Sequence, residues 1–224
     1  MRAFGIIPYE LISESVDNFP AGRTTGISIA AIKCLLVLGL ACDFYTKEVS
    51  LSLSELEERT GCSKPMVVMG IKYLISIGVI AKVHQNKTNI KGRYLINFPS
   101  TKFTQVPYPL TSLLRSFPNK GITVLVALKA YLVILKFRWN NTAHAEVSYM
   151  GFSRYGINTK HLSKALAILI SSDYIAISKT YNRDETGYNK SCNNYQIKHL
   201  YKAVPAPNGR PYLDLVSFKD KSST

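Results

Sequence analysis

Two long apolar runs, Gly26–Leu40 and Gly121–Leu135, stand out in a chain whose other hydrophobic residues come in shorter clusters among polar ones. A helix apolar over most of its surface is one enclosed by protein, so the runs predict central helices over Ile27 to about Tyr45 and Ile122 to about Trp139. Short extended segments follow at Val49–Ser52 and Ala145–Ser148. In the first half, Ser52-Leu-Ser-Glu-Leu-Glu-Glu-Arg-Thr-Gly61 reads as a short helix with a capping serine, acids near its start and a terminating glycine. The turn Gly61-Cys62-Ser63 leads to a third helix capped by Ser63. Pro65 fits its first turn, where the missing N–H has no intrahelical partner. That helix ends near Ile77-Gly78, and Val79–His84 and Arg93–Phe98 read as strands around the polar loop Gln85–Gly92.

The second half repeats the first. Ile7-Pro-Tyr-Glu-Leu-Ile-Ser13 matches Val106-Pro-Tyr-Pro-Leu-Thr-Ser112, Phe19-Pro20 matches Phe117-Pro118, and Gly26-Ile27 matches Gly121-Ile122. From there a constant 95-residue offset places Gly61 on Gly156, Val67 on Leu162, Ile71 on Leu166, Leu74 on Leu169 and Ile80 on Ile175. Apolar residues match by chance, but ordered proline, tyrosine and glycine landmarks do not, so the chain reads as an internal duplication. The units span 1–99 and 100–200, with Pro99, Pro107 and Pro109 at the junction. A basic, polar tail (201–224) carries Pro205, Pro207 and Pro211.

Helix, short strand, helix, glycine turn, helix and hairpin is the order of a winged helix-turn-helix. The stretch Leu51–Ile80 closely resembles bacterial winged-helix domains in its Ser-Leu-Ser-Glu-Leu start, its Thr-Gly-Cys-Ser turn and its Tyr-Leu-Ile-Ser-Ile-Gly-Val-Ile close. The second unit keeps the turn (Tyr155-Gly-Ile-Asn158) and the close (Leu169–Ile175), with Asp173 where glycine is usual. The expected fold is α+β, mainly α: two tandem winged helix-turn-helix domains plus a C-terminal tail. Such a pair resembles the tandem winged-helix replication initiators of plasmids and phages. The motifs are specific for winged helices and not for replication.

Composition narrows the partner. The 224 residues are 46% hydrophobic and 19% charged, enough for a packed core, and 28 Lys+Arg against 14 Asp+Glu give a net charge of +14. That excess calls for a polyanion, nucleic acid before an anionic membrane. It is uneven: residues 1–100 hold 11 basic and 8 acidic side chains, residues 101–224 hold 17 and 6. Cys34, Cys42, Cys62 and Cys192 form no Cys-x-x-Cys pair and do not cluster with histidines, which argues against disulfides and zinc and suits a reducing cytoplasm. Both apolar runs fall short of the ~18 residues that span a bilayer, and each carries a lysine, Lys33 or Lys129. With no signal-peptide pattern at the start, a cytoplasmic, nucleoid-associated protein without a membrane partner is expected. No phosphate-cradling glycine loop, His-x-His pair beside a tyrosine or paired carboxylates stand out, so neither catalysis nor a cofactor is expected.

In a helix-turn-helix the second helix enters the major groove, and periodicity selects its outward side chains. In the first unit Val67, Ile71 and Leu74 share the buried face; Pro65, Met69 and Lys72 lie opposite, flanked by Met66 and Val68. In the second, Leu162, Leu166 and Leu169 are buried, and Lys160, Lys164 and Ala167 lie opposite, with His161 and Ser163 on the flanks and Thr159 near the cap. Lysine and histidine donate to guanine, and serine and threonine reach bases or phosphates, so Thr159, Lys160, His161, Ser163 and Lys164 are the candidate DNA-reading residues. The plainer reading is a solvated face. Met66, Val68 and Met69 are either extra packing or a protein interface. The hairpin tips add candidate phosphate contacts: Lys87, Lys91 and Arg93 in the first, Arg183 and Lys190 beside Asp184 and Glu185 in the second. His84, His144 and His199 read as isolated, ordinary surface or partly packed residues.

The expected function is sequence-specific binding of double-stranded DNA, with the second unit reading bases and the first supplying phosphate contacts, a dimer surface or both. By resemblance, the role is replication initiation for a plasmid, phage or other mobile element, acting on origin repeats with host replication proteins as partners. Transcriptional regulation, a homodimer on an operator, is the runner-up. A protein-interaction adaptor is the third reading.

Overall fold

In the computed structural model each apolar run forms a helix enclosed by the rest of the protein. The structure describes residues 4–16, 18–83, 91–139, 142–183 and 189–200, with 13–15, 179–183 and 189–192 described by their backbone. The first half runs β1 (Phe4–Pro8), α1 (Tyr9–Ser15), α2 (Thr25–Ala41), β2 (Glu48–Leu51), α3 (Leu53–Thr60), α4 (Lys64–Ser76), β3 (Ile80–Lys82) and β4 (Gly92–Ile96). The second repeats that order: β5 (Phe103–Pro107), α5 (Leu110–Ser116), α6 (Ile122–Lys136), β6 (His144–Glu146), α7 (Tyr149–Arg154), α8 (Thr159–Ser171), β7 (Ile175–Arg183) and β8 (Asn189–Ile197). The fold is mixed, with helices and three small antiparallel sheets ordered β1-β5, β2-β4-β3 and β6-β8-β7. Helices α4 and α8 lie 95 residues apart at both ends, the offset read from the sequence.

Local chemistry sets the boundaries. Helix α3 carries a full capping box: Ser52 Oγ accepts from Glu55 N–H, and the Glu55 carboxylate accepts from Ser52 N–H at 2.7 Å. Gly61 closes the helix in the left-handed region at φ 65°. Ser63 stands at the N-cap of α4 but makes no side-chain capping bond; the Glu57 carboxylate accepts the Lys64 N–H instead, at 3.2 Å. The central helices stop at Ala41 and Lys136, short of Tyr45 and Trp139. After α2, Cys42 turns extended, and Asp43 Oδ1 accepts the Tyr45 and Thr46 amides at 2.9 Å, a turn that replaces another helical one. Asp173 adopts the φ of 60° that its counterpart Gly78 adopts at 73°. Its carboxylate meets His199 Nε2 at 2.5 Å, and His144 Nδ1 meets Asn194 Oδ1 at 3.0 Å, so neither histidine is isolated; His84 lies outside the described residues.

The opening segment of each half forms a strand and a short helix before the central helix. Strands β1 and β5 pair with each other across the two halves, Ile6 opposite Gln105 and Ile7 opposite Thr104. Aligning Pro8-Tyr9 with Pro107-Tyr108 makes Ile6 and Gln105 equivalent positions, so the ladder is symmetric about that rung, a local pseudo-twofold axis. Helix α1 then packs on α6, and α5 packs on α2 and α3. Each half thus lends its opening segment to the other. One hydrophobic cluster, from Ile6 to Leu200, runs through both.

Lys33 sits at the centre of that exchange, with no exposed surface. Its Nζ donates to Thr60 O (3.0 Å), Leu114 O (2.8 Å), Phe117 O (2.6 Å) and Asn119 Oδ1 (2.7 Å). Thr60 ends α3, while Leu114 and Phe117 end α5, so the ammonium lies at the negative ends of two helices. Asn119 Nδ2 in turn donates to Gly61 O at 2.6 Å. Burial lowers the Lys33 pKa from 10.5 to about 8.

The helical run Gly22–Ala41, a 3-10 turn continued by α2, spans 20 residues at mean hydropathy 1.9. It is longer than the apolar run read from sequence, and by length and composition alone it suffices to cross a membrane. Among the described residues it is the one helix that does, and 72% of its apolar window is buried in the protein.

Candidate nucleic-acid interface

Helix α8 begins where Asn158 Oδ1 accepts the Lys160 N–H at 2.9 Å. Leu162, Ala165, Leu166 and Leu169 are buried, and the helix packs on α6. Thr159, Lys160, Ser163, Lys164 and Ala167 are exposed together on the far side, and His161 is half-buried beside them. Lys160 and Lys164 stand one turn apart, and among the described residues neither ammonium has an acidic partner. Like charges at that spacing destabilise a helix by about 0.2–0.5 kcal/mol, a cost an anion would remove.

The helix before it extends the face. Ser148 Oγ caps α7 by accepting the Gly151 N–H at 3.0 Å, and Tyr149, Met150 and Arg154 are exposed, Met150 at 67%. Arg154 was missed by the periodicity of α8 alone. Its signal was compositional: no Asp or Glu occurs from Val147 to Ser172, a stretch that holds Arg154, Lys160 and Lys164. The corresponding stretch of the first half balances Arg59, Lys64 and Lys72 with Glu55, Glu57 and Glu58.

Helix α4 is a different surface. Met66 packs against the core and lies 3.4 Å from where a side chain on Gly26 would begin; Val68 is half-buried, and Met69 is 42% exposed. Pro65 and Lys72 are exposed as expected. Gly70, absent from the expected buried face, lies against the backbone of Ala30 and Ala31 in α2.

The first hairpin's cations are engaged within their own unit. Lys91 Nζ lies 3.2 Å from Glu55 Oε1, and Arg93 pairs with Glu48 on the neighbouring strand. The Ser52 backbone N–H, then the Ser52 hydroxyl and Lys91, hold the Glu55 carboxyl down at about 2. Exposed pairs of this kind are worth about 0–1 kcal/mol, so a phosphate competes for either cation. Lys87 lies outside the described residues. Arg183 and Lys190 fall on the outermost rungs of β7–β8, opposite Asn189 and Asn182, where the backbone alone is described. Among the described residues no three of His, Cys, Asp and Glu come together as a metal site.

The chain matches no protein-family model and no curated protein.

Proposed function

We propose that this protein binds double-stranded DNA sequence-specifically through two winged helix-turn-helix units, with α8 as the reading helix. The reading is supported chiefly by the acid-free, solvent-facing array of Thr159, Lys160, Ser163 and Lys164 on the second helix of a helix–turn–helix pair. Lysines at successive turns reach guanine N7 and O6, the two hydroxyls reach bases or phosphates, and Arg154 on α7 supplies a backbone contact. The paired hairpin β7–β8 lies next in the chain, where a wing would touch flanking phosphates. The first unit, with its balanced charge and apolar α4 face, serves phosphate contact through Lys91 and Arg93 or a protein contact through Val68 and Met69.

The biological role we infer is replication initiation for a plasmid, phage or other mobile element, with transcriptional regulation as the alternative. The binding step is tested by selecting sites from random duplex and comparing the wild type with Lys160→Ala/Lys164→Ala. Each good base contact is worth about 1–3 kcal/mol, so the double variant should lose specific affinity by tenfold or more. Unchanged affinity and specificity would overturn the assignment of α8. Transformation with a candidate-origin plasmid, with and without the gene, separates initiator from regulator.

A further inference from the structure

A cavity of about 320 Å³ opens at the end of α2, between the first turn of the 42–47 loop and the β1–β5 ladder. That is the lower end of small-ligand sites. Four of its lining side chains are aromatic, Phe4, Phe44, Tyr45 and Phe103, with Ile6 and Cys42 between them, and none is charged. Phe44 meets Phe103 and Tyr45 edge to face, each at 5.4 Å between ring centroids. Tyr45 is 86% exposed, the most exposed large hydrophobic side chain among the described residues.

The loop fixes the backbone that carries that ring. Asp43 Oδ1 accepts from the Tyr45 and Thr46 amides and the Thr46 hydroxyl, which leaves the nearest carboxylate engaged. Lys47 takes a left-handed backbone at φ 60°. Its ammonium donates to Phe44 O at 2.5 Å and lies 4.4 Å from the centre of the Phe44 ring. Lys102, exposed, immediately precedes Phe103. An uncharged aromatic interior with the Lys47 ammonium beside it fits a ligand with a planar, neutral body and an anionic connection outside.

We propose that this cavity takes an unstacked nucleobase of single-stranded DNA, stacked on Tyr45 with the Phe44 ring across its edge, and with its phosphate toward Lys47. Single-strand binders combine such stacking platforms with backbone-facing cations, and every base offers a π-face, so the site is tolerant of sequence. Aromatic rings on several sides favour a flat ring over an alkyl chain. The site stands apart from α8 and does not depend on the duplex-reading proposal.

The test measures fluorescence anisotropy of the full chain with a labelled oligothymidylate, an abasic oligomer of equal length and a duplex. Tyr45→Ala should weaken oligothymidylate binding about tenfold, in line with one lost base–aromatic stack. Tyr45→Phe should bind as wild type, and duplex affinity should not change with either. Tyr45 is so exposed that neither substitution removes core packing. Lys160→Ala/Lys164→Ala should keep its oligothymidylate binding, which distinguishes failure of this site from failure of the α8 assignment. Equal binding of the abasic oligomer, or an unaffected Tyr45→Ala variant, would overturn the proposal. So would occupancy by dodecanoate without competition from oligothymidylate, which would mark an alkyl site.

Discussion

Replacing Lys33 with methionine tests how the two halves are held together. The substitution keeps the unbranched stem and removes the ammonium from Thr60 O, Leu114 O, Phe117 O and Asn119 Oδ1. Hydrogen bonds from a charged donor are worth about 1.5–3 kcal/mol each, and four at the lower figure come to roughly 6 kcal/mol. Methionine spares the desolvation of an ammonium but leaves buried acceptors without a donor, so Lys33→Met should destabilise by about 2–3 kcal/mol at pH 7, measured by urea unfolding. The pH dependence identifies the cause. Between the folded pKa of about 8 and the unfolded value of 10.5, the unfolded chain binds more protons, so stability rises with pH. From pH 7.5 to 9 the wild type should gain about 1 kcal/mol relative to Lys33→Met. Burial raises the Cys34 and Cys62 thiols above their ordinary 9.0, so the unfolded thiols ionise first, from about pH 8, and lower the stability of both proteins alike. The informative window is thus pH 7.5 to 9. A methionine variant as stable as the wild type, with the same pH profile, would refute the account.

Three further outcomes follow from the packing. Among the described residues the buried Tyr131 hydroxyl has no hydrogen-bond partner, so Tyr131→Phe should leave stability unchanged or raise it by about 1 kcal/mol in a thermal melt; a clear loss would mean the hydroxyl is satisfied. A Cβ on Gly61 would lie 2.2 Å from Arg115 O at φ 65°, whereas one on Gly78, at φ 73°, meets nothing within 4 Å. Gly61→Ala should cost about 3 kcal/mol or more and Gly78→Ala about 1 kcal/mol in urea unfolding. Residues 100–200 expressed alone should show poor amide protection and no cooperative melt, because α5 buries its inner face on α2 and α3 of the other half.

What the sequence made legible is what short-range spacing encodes. The buried faces of α4 and α8 follow from apolar residues three and four apart, and the Ser52–Glu55 box and Gly61 mark α3 within ten residues. Ala165 escaped because a small apolar residue gives little signal, although it fills the place of Gly70. The β1–β5 ladder left no local trace: Phe-Gly-Ile-Ile-Pro has no alternation, and its partner lies about 100 residues away. Lys33 looked like a charge that spoils a membrane span, because its acceptors come from residues 60 and 114–119. The exposed face of α8 was readable for the same reason as its buried face. The ion pairs of Lys91 and Arg93 were not, since their acids lie 36 and 45 residues earlier.

If the protein binds DNA as proposed, the exchanged openings also bear on the kind of site. In a homodimer both reading helices are identical, and the site mirrors that symmetry as a palindrome. Here the two copies share one chain and are bound together by the β1–β5 ladder, the Lys33 junction and a continuous core, none of which involves the outer faces of α4 or α8. Those faces are therefore free to differ without loss of the fold, and they do: α3–α4 balances Arg59, Lys64 and Lys72 with three glutamates, and α7–α8 carries Arg154, Lys160 and Lys164 with no acid. If α8 reads DNA, a single molecule should protect an asymmetric footprint, with base-specific protection under one half and phosphate contact or none under the other. Exchanging the outward residues of α4 for those of α8 (Pro65→Lys, Met69→Lys) should move the preferred site toward a palindrome. A symmetric footprint from one wild-type molecule would show that α4 reads bases despite its apolar face. A symmetric footprint from two molecules would place the dimer contact on the first half, where Met69 is exposed.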